Sequence, residues 1–189
     1  MFLAVVALCL HAEPISQLHP SNYVNDFAGV LDVATAAQLN DLGRQVDQKA
    51  HAQIAVVTIK STDGQDIVSY AVALYQAWGI GPKSSDRGVL ILLAVQDHKY
   101  WTTVGYGLEP ILPDGKVGGF GREAVPLLRN GDYNGAVSLM ASRVAAVSVV
   151  AAPEAVALAV SVAAARAAVE RAAVGRNGVR DDGSGKTDQ

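Results

Sequence analysis

Between Asp86 and Glu109 the chain reads DRGVLILLAVQDHKYWTTVGYGLE, and this stretch limits the possible folds more than any other. Gly88 to Val95 carries no charged or polar side chain. As a strand it has no face for water, so other elements must cover both of its sides. Gln96-Asp97-His98-Lys99 predicts a turn, and Tyr100 to Tyr106 a strand returning antiparallel to the first. A hairpin in that register brings its far ends together and sets Asp86 beside Tyr106-Gly107-Leu108-Glu109. Two carboxylates at one edge of a buried sheet mark a candidate site without naming a reaction.

The flanking sequence supplies the covers. Tyr23 to Leu31 reads as a short extended stretch carrying Asp26. Asp32 is a suitable N-cap for a helix over Val33–Ala50, where Leu39, Leu42 and Val46 recur at helical spacing. Gln53–Ile59 is a second buried-type strand, rich in β-branched residues. Asp63-Gly64 predicts a turn. An amphipathic helix follows from Asp66 to Trp78, with Ile67, Ala71, Leu74 and Trp78 on one face and Gly79 placed to end it. After Glu109, Pro110 and Pro113 forbid an immediate regular element. Asp114 starts a helix to about Arg129, weakened by Gly115, Gly118, Gly119 and Gly121 and expected to bend or break at Pro126. Gly131-Asp132 separates it from a last helix, Tyr133 to about Val147. This order predicts an α/β fold, a small mixed sheet with helices on both faces.

The 189 residues allow one domain and two ends. Residues 1–12 read as a signal peptide, because Phe2 to Leu10 is an apolar run of the right length, although no Lys or Arg precedes it. Residues 13–21 form a spacer with Pro14 and Pro20, and the domain is expected over 22–147. Residues 148–174 are almost entirely Ala and Val and predict a helix. Its longest uninterrupted run, Ala155 to Ala165, falls short of the roughly 20 apolar residues that cross a bilayer. Weak membrane association through it remains an expectation. Residues 175–189 are polar and glycine-rich, the composition of a disordered tail. The formal net charge of −3, with no Lys/Arg cluster, argues against a nucleic-acid partner. The single cysteine, Cys9, cannot form an internal disulfide.

The segments YVNDFAGVL (23–31), AQIAVVTI (52–59), AWGIG (77–81), DRGVLILLAV (86–95), VGYGLEPIL (104–112) and NGDYNGAV (130–137) resemble the TPM domain family. That group is named for a thylakoid-lumen protein, a photosystem II repair protein and a nematode receptor modulator. The resemblance covers about residues 22–147 and implies an αβα sandwich in an exported protein, periplasmic or at the cell envelope. It implies a divalent cation as cofactor, calcium before magnesium, and an unknown envelope or membrane protein as partner. By motif match the acids carried over are Asp26, Asp86 and Glu109, with Asp114 a fourth by position. An acid phosphatase activity, assigned within the family to a plant member, is the alternative function.

Carboxylates from separate segments suit a hard, oxygen-seeking cation, provided that they converge. Each acid also has a structural reading. Asp86 serves as a loop cap or a partner of Arg87, Asp26 as an Asx-turn residue, Asp114 as a helix N-cap, and Glu109 as a surface acid. Gly105 and Gly107 either open the backbone to a ligand or simply permit a turn. His11, His19, His51 and His98 share no metal-binding spacing, no Gly-x-Ser-x-Gly elbow occurs, and the glycines at 118, 119 and 121 make no dinucleotide fingerprint. A metal-assisted phosphomonoester hydrolase would need a group to stabilise developing charge, for which Arg87 and Lys116 are the nearest candidates.

Overall fold

The computed structural model describes residues 14–151. The expected leader (1–12), the tail (175–189) and nearly all of the Ala/Val-rich segment (148–174) lie outside the described residues.

After a 3-10 turn at Ile15–Gln17, the strands are β1 (Val24–Asp26), β2 (Gln53–Ile59), β3 (Gly88–Ala94) and β4 (Lys99–Val104). The helices are α1 (Val33–Ala50), α2 (Ile67–Trp78), α3 (Asp114–Arg129) and α4 (Tyr133–Val150). One four-stranded sheet in the order β1-β2-β3-β4 joins the strands, parallel from β1 to β3 and antiparallel between β3 and β4. The sheet is mixed and has helices on both faces, as the sequence pattern requires.

Every residue of β3 is buried, which is how a strand with no hydrophilic side must sit. Its side chains feed two cores by strict alternation. Val89, Ile91 and Leu93 join Ile54 and Val56 under α1, α3 and α4. Leu90 and Leu92 join Ala55 and Val57 under Tyr70, Ala71 and Leu74 of α2. Asp32 caps α1 by accepting from the Thr35 N–H at 2.6 Å, and Asp66 caps α2 by accepting from the Ser69 N–H at 2.9 Å. These N–H groups lower both carboxyls below the ordinary aspartate value, the backbone donor first and the residue's side-chain hydrogen bond next.

Two expectations change. Helix α3 runs unbroken through Pro126. The proline forfeits the bond to the Arg122 carbonyl, but Arg122 is exposed and water can serve that oxygen. Helix α4 extends past Val147 to Val150. By length and composition alone it could cross a membrane. It buries Ala136, Val137, Met140, Ala141 and Val144 in the domain core, so here it is a core helix.

The crossovers carry information that no single element does. From β1 through α1 to β2, and from β2 through α2 to β3, the chain steps the same way across the sheet. The two helices nevertheless lie on opposite faces. Parallel crossovers stepping the same way on opposite faces have opposite hands, so one of them departs from the right-handed rule. The carboxyl ends of β1 and β2 therefore send their connections apart and leave a topological switch point between them.

Candidate functional site

Asp26 ends β1 at this switch point, in register with Thr58 of β2. Its carboxylate accepts from the Val30 N–H at 3.1 Å, from the Leu31 N–H at 2.9 Å and from the Thr58 hydroxyl. The acid thus closes an Asx-type turn and ties the loop before α1 to the sheet.

At the same end stands Asp97, which the sequence pattern assigned only to the hairpin turn. It accepts from the Ser61 hydroxyl at 2.7 Å, the Thr62 N–H at 2.7 Å and the Thr62 hydroxyl at 3.0 Å. Burial pushes this carboxyl upward, but those three donors, helped by the charge of Lys99, outweigh it and hold it below the ordinary value. The signal was present in the strand alignment. Ile59 faces Ala94, so residues just past each strand end must meet.

Asp86 lies at the opposite end of the sheet, before Gly88, which pairs with Gln53 at the start of β2. It adopts a left-handed backbone conformation (φ 46°). Its carboxylate accepts from the Tyr75 hydroxyl at 2.9 Å and the Tyr106 N–H at 3.0 Å, and its carbonyl accepts from the Gly107 N–H at 3.1 Å. Burial and the bond to Asp86 both raise the Tyr75 phenol far above its ordinary pKa. The closing of the hairpin on Asp86 is as expected; its pairing with Arg87 is not, since Arg87 donates instead to the Gly107 carbonyl at 3.2 Å. A β-carbon on Gly105 would collide with the Asp86 carbonyl oxygen and the Tyr75 hydroxyl. That glycine lets the chain approach itself rather than a ligand.

Glu109 and Asp114 are exposed. Pro113, not Asp114, is the residue capping α3, and it makes no side-chain cap bond. Lys116 donates to the Ile111 carbonyl at 2.9 Å. The acids expected to converge are therefore distributed. Asp26 is at one end of the parallel strands, Asp86 and Glu109 follow the other end, and Asp114 stands beside β4. Five residues of β3 separate the levels of Gly88 and Leu93, about 16 Å of strand. Among the described residues no group of three or more His, Cys, Asp or Glu is placed to hold a metal ion. The four acids do not fit one cation shell.

A recess of about 460 Å³ opens beside Tyr23, Asp47, Gln53 and Pro82, and two others gather around the β3–β4 hairpin and the free side of β4. One, of about 530 Å³, has a floor of Leu93, Val125 and Leu128 and carries Lys99 and Arg129. A second, of about 520 Å³, brings Lys99 and Arg122 together with Val68 of α2 and Val117 of α3. Neither Arg122 nor Arg129 has an ion pair among the described residues. The sequence pattern missed these cations because they are far apart in the chain and meet only through the α3–β4 packing. Trp101 is 38% exposed.

Three solved domains are similar in fold. The N-terminal domain of a protein from P. gingivalis is 25% identical with a TM-score of 0.68, covering 73% of this chain and 92% of that one. The N-terminal domain of a Corynebacterium glutamicum protein is 19% identical with a TM-score of 0.56, covering 69% and 82%. The BA42 protein of the psychrophilic bacterium Bizionia argentinensis is 15% identical with a TM-score of 0.54, covering 62% and 81%. No curated protein matches the chain significantly. The family model of the TPM domain matches residues 24–147, from the first residue of β1 into the last turns of α4, so the chain belongs to the TPM domain family.

Proposed function

We propose that this chain is an exported accessory module of the cell envelope, one that binds a partner rather than transforming it. One observation carries the reading: the carboxylates fixed by the fold are engaged in holding loops, while the recesses beside β4 have apolar floors and unpaired cations at their rims. Such surfaces suit recognition of anionic groups with apolar neighbours. A divalent cation, calcium before magnesium, belongs to this proposal as an ion held by few protein oxygens and completed by water. Glu109, exposed beside Pro110 and not engaged in holding a loop, is the acid assigned to it.

The alternative is a phosphomonoester hydrolase. It draws support from the matching family model, which bears the name TPM phosphatase, and from the cations near His98, which suit a phosphoryl group. Melting with and without millimolar calcium tests the cation. Ligand at 100 times its Kd adds about 2.7 kcal/mol, and Glu109→Gln is expected to abolish the shift. An unchanged Tm in the wild type removes the cation from the proposal. Turnover of p-nitrophenyl phosphate that disappears in Asp86→Asn, with the variant still folded, would replace the binding module by the enzyme.

A further inference from the structure

Among the described residues strand β4 pairs with β3 alone, so one side of its backbone has no described strand beside it. Hydrogen-bond parity says which groups face outward. The Val95 N–H bonds to the Ile59 carbonyl in β2's direction, and the Gly105 N–H bonds to the Gly88 carbonyl. Even-numbered β3 residues therefore bond toward β4, and Lys99, Trp101 and Thr103 answer them. The backbone N–H and C=O groups of Tyr100, Thr102 and Val104 point away from the sheet.

Apart from Lys99 at its first position, nothing in β4 blunts this edge. It contains no proline, and its outward-bonding positions carry no charge. The 520 Å³ recess runs beside it, with Ile67 and Val68 of α2 on one wall and Val117 and Gly118 of α3 on the other. Residues from both helical layers and from the edge strand thus line one groove. At its rim stand Lys99, drawn at a distance toward Asp66 and Asp97, and Arg122, which has no ion pair among the described residues. Asp114 is the acid lining the groove.

We propose that the free edge of β4 takes up an extended, acid-bearing segment of a partner polypeptide as a further strand of the sheet. The unpaired backbone groups of Tyr100, Thr102 and Val104 would give affinity, as in other cases of strand addition. Apolar side chains of the segment would alternate into the α2 and α3 walls, and a carboxylate would meet Arg122 and Lys99. This inference rests on the binding-module reading and names the partner class for it.

The test is selection from a random peptide library on the full chain, followed by titration of the winning synthetic peptides. Winners should alternate β-branched or apolar residues with Asp or Glu. Their binding should weaken roughly tenfold or more in Thr102→Pro, which removes an outward N–H, and in Arg122→Glu, which reverses a rim charge. Amide exchange of Tyr100, Thr102 and Val104 should slow when peptide is bound. Should Thr102→Pro not fold, Arg122→Glu and the exchange measurement still decide. Peptides without acids, or peptides indifferent to both variants, overturn the strand-addition proposal. So does a homodimer that Arg122→Glu or Thr102→Pro dissolves, which assigns the edge to a second copy. Peptides that respond to Arg129→Glu alone keep the binding module and move its site to the hairpin end. Phosphatase turnover with no peptide selected removes both.

Discussion

Single residues here decide how tightly loops approach the sheet. Gly105 is the sharpest case, since a methyl group there meets a backbone oxygen that cannot swing aside. Gly105→Ala should cost about 1–3 kcal/mol or more, read as a lower Tm. Tyr75→Phe should cost about 1–2 kcal/mol, because it leaves the Asp86 carboxylate with one donor fewer in a half-buried setting. Asp97 gives a pH signature. Its folded-state carboxyl lies below the ordinary value of 3.8, so the unfolded chain takes up its proton first as the solution is acidified. The stability that Asp97 contributes is complete above that ordinary value and is lost as pH falls through the depressed one. The Tm gap between wild type and Asp97→Asn should therefore narrow as pH falls below about 4. A gap that stays constant or widens on acidification would refute this assignment.

At the scale of elements, α3 shows that its glycines are not alike. Gly115 has nothing within 4 Å of the place a β-carbon would take, whereas Gly121 has the ring of Tyr100 across it. Gly115→Ala should raise stability by about 0.4–1 kcal/mol, through the unfolded chain's lost freedom. Gly121→Ala should lower it, and chemical denaturation of the pair separates the signs. The same helix marks what was readable beforehand. Strands β2 and β3 and helices α1 and α2 were legible because local chemistry fixes them: charge-free runs, Asp32 as the N-cap of α1, Gly79 as the left-handed stop of α2. The hairpin's closure on Asp86 was legible for the same reason. Pro126 misled because local propensity ignores the packing of α3 on α4 and β4, which holds the helix together through its missing bond. The separation of Asp26 from Asp86 was not legible either. Both flank strands of one sheet, but which end each occupies depends on strand direction, and a parallel β1–β2–β3 arrangement puts one after its strand and the other before. Lys99, Arg122 and Arg129 were invisible because no spacing in the chain links a hairpin to two turns of a later helix.

For the whole molecule, one sheet lies between two separate apolar clusters, and the fully buried β3 belongs to both. Two cores that share a strand cannot melt independently unless that strand comes apart. Leu74 on the α2 side is fully buried, and Met140 on the α4 side is nearly so. Each truncation to alanine should cost about 2–5 kcal/mol. Both tryptophans sit on the α2 side: Trp78 packs its ring edge on Phe27, and Trp101 stands in register with Leu92. Tryptophan fluorescence therefore reports the α2 layer, while far-UV circular dichroism is dominated by helices of the other layer. Met140→Ala removes packing that no tryptophan touches directly. If the sheet couples its faces, the fluorescence and dichroism transitions of Met140→Ala shift together and remain superimposable, as they should for Leu74→Ala. A fluorescence transition that stays at the wild-type midpoint while dichroism moves down would mean that the α2 layer is a unit of its own. In that case strand addition at β4 would be sensed on one face of the sheet alone, because the strand beneath it would no longer carry strain between the layers.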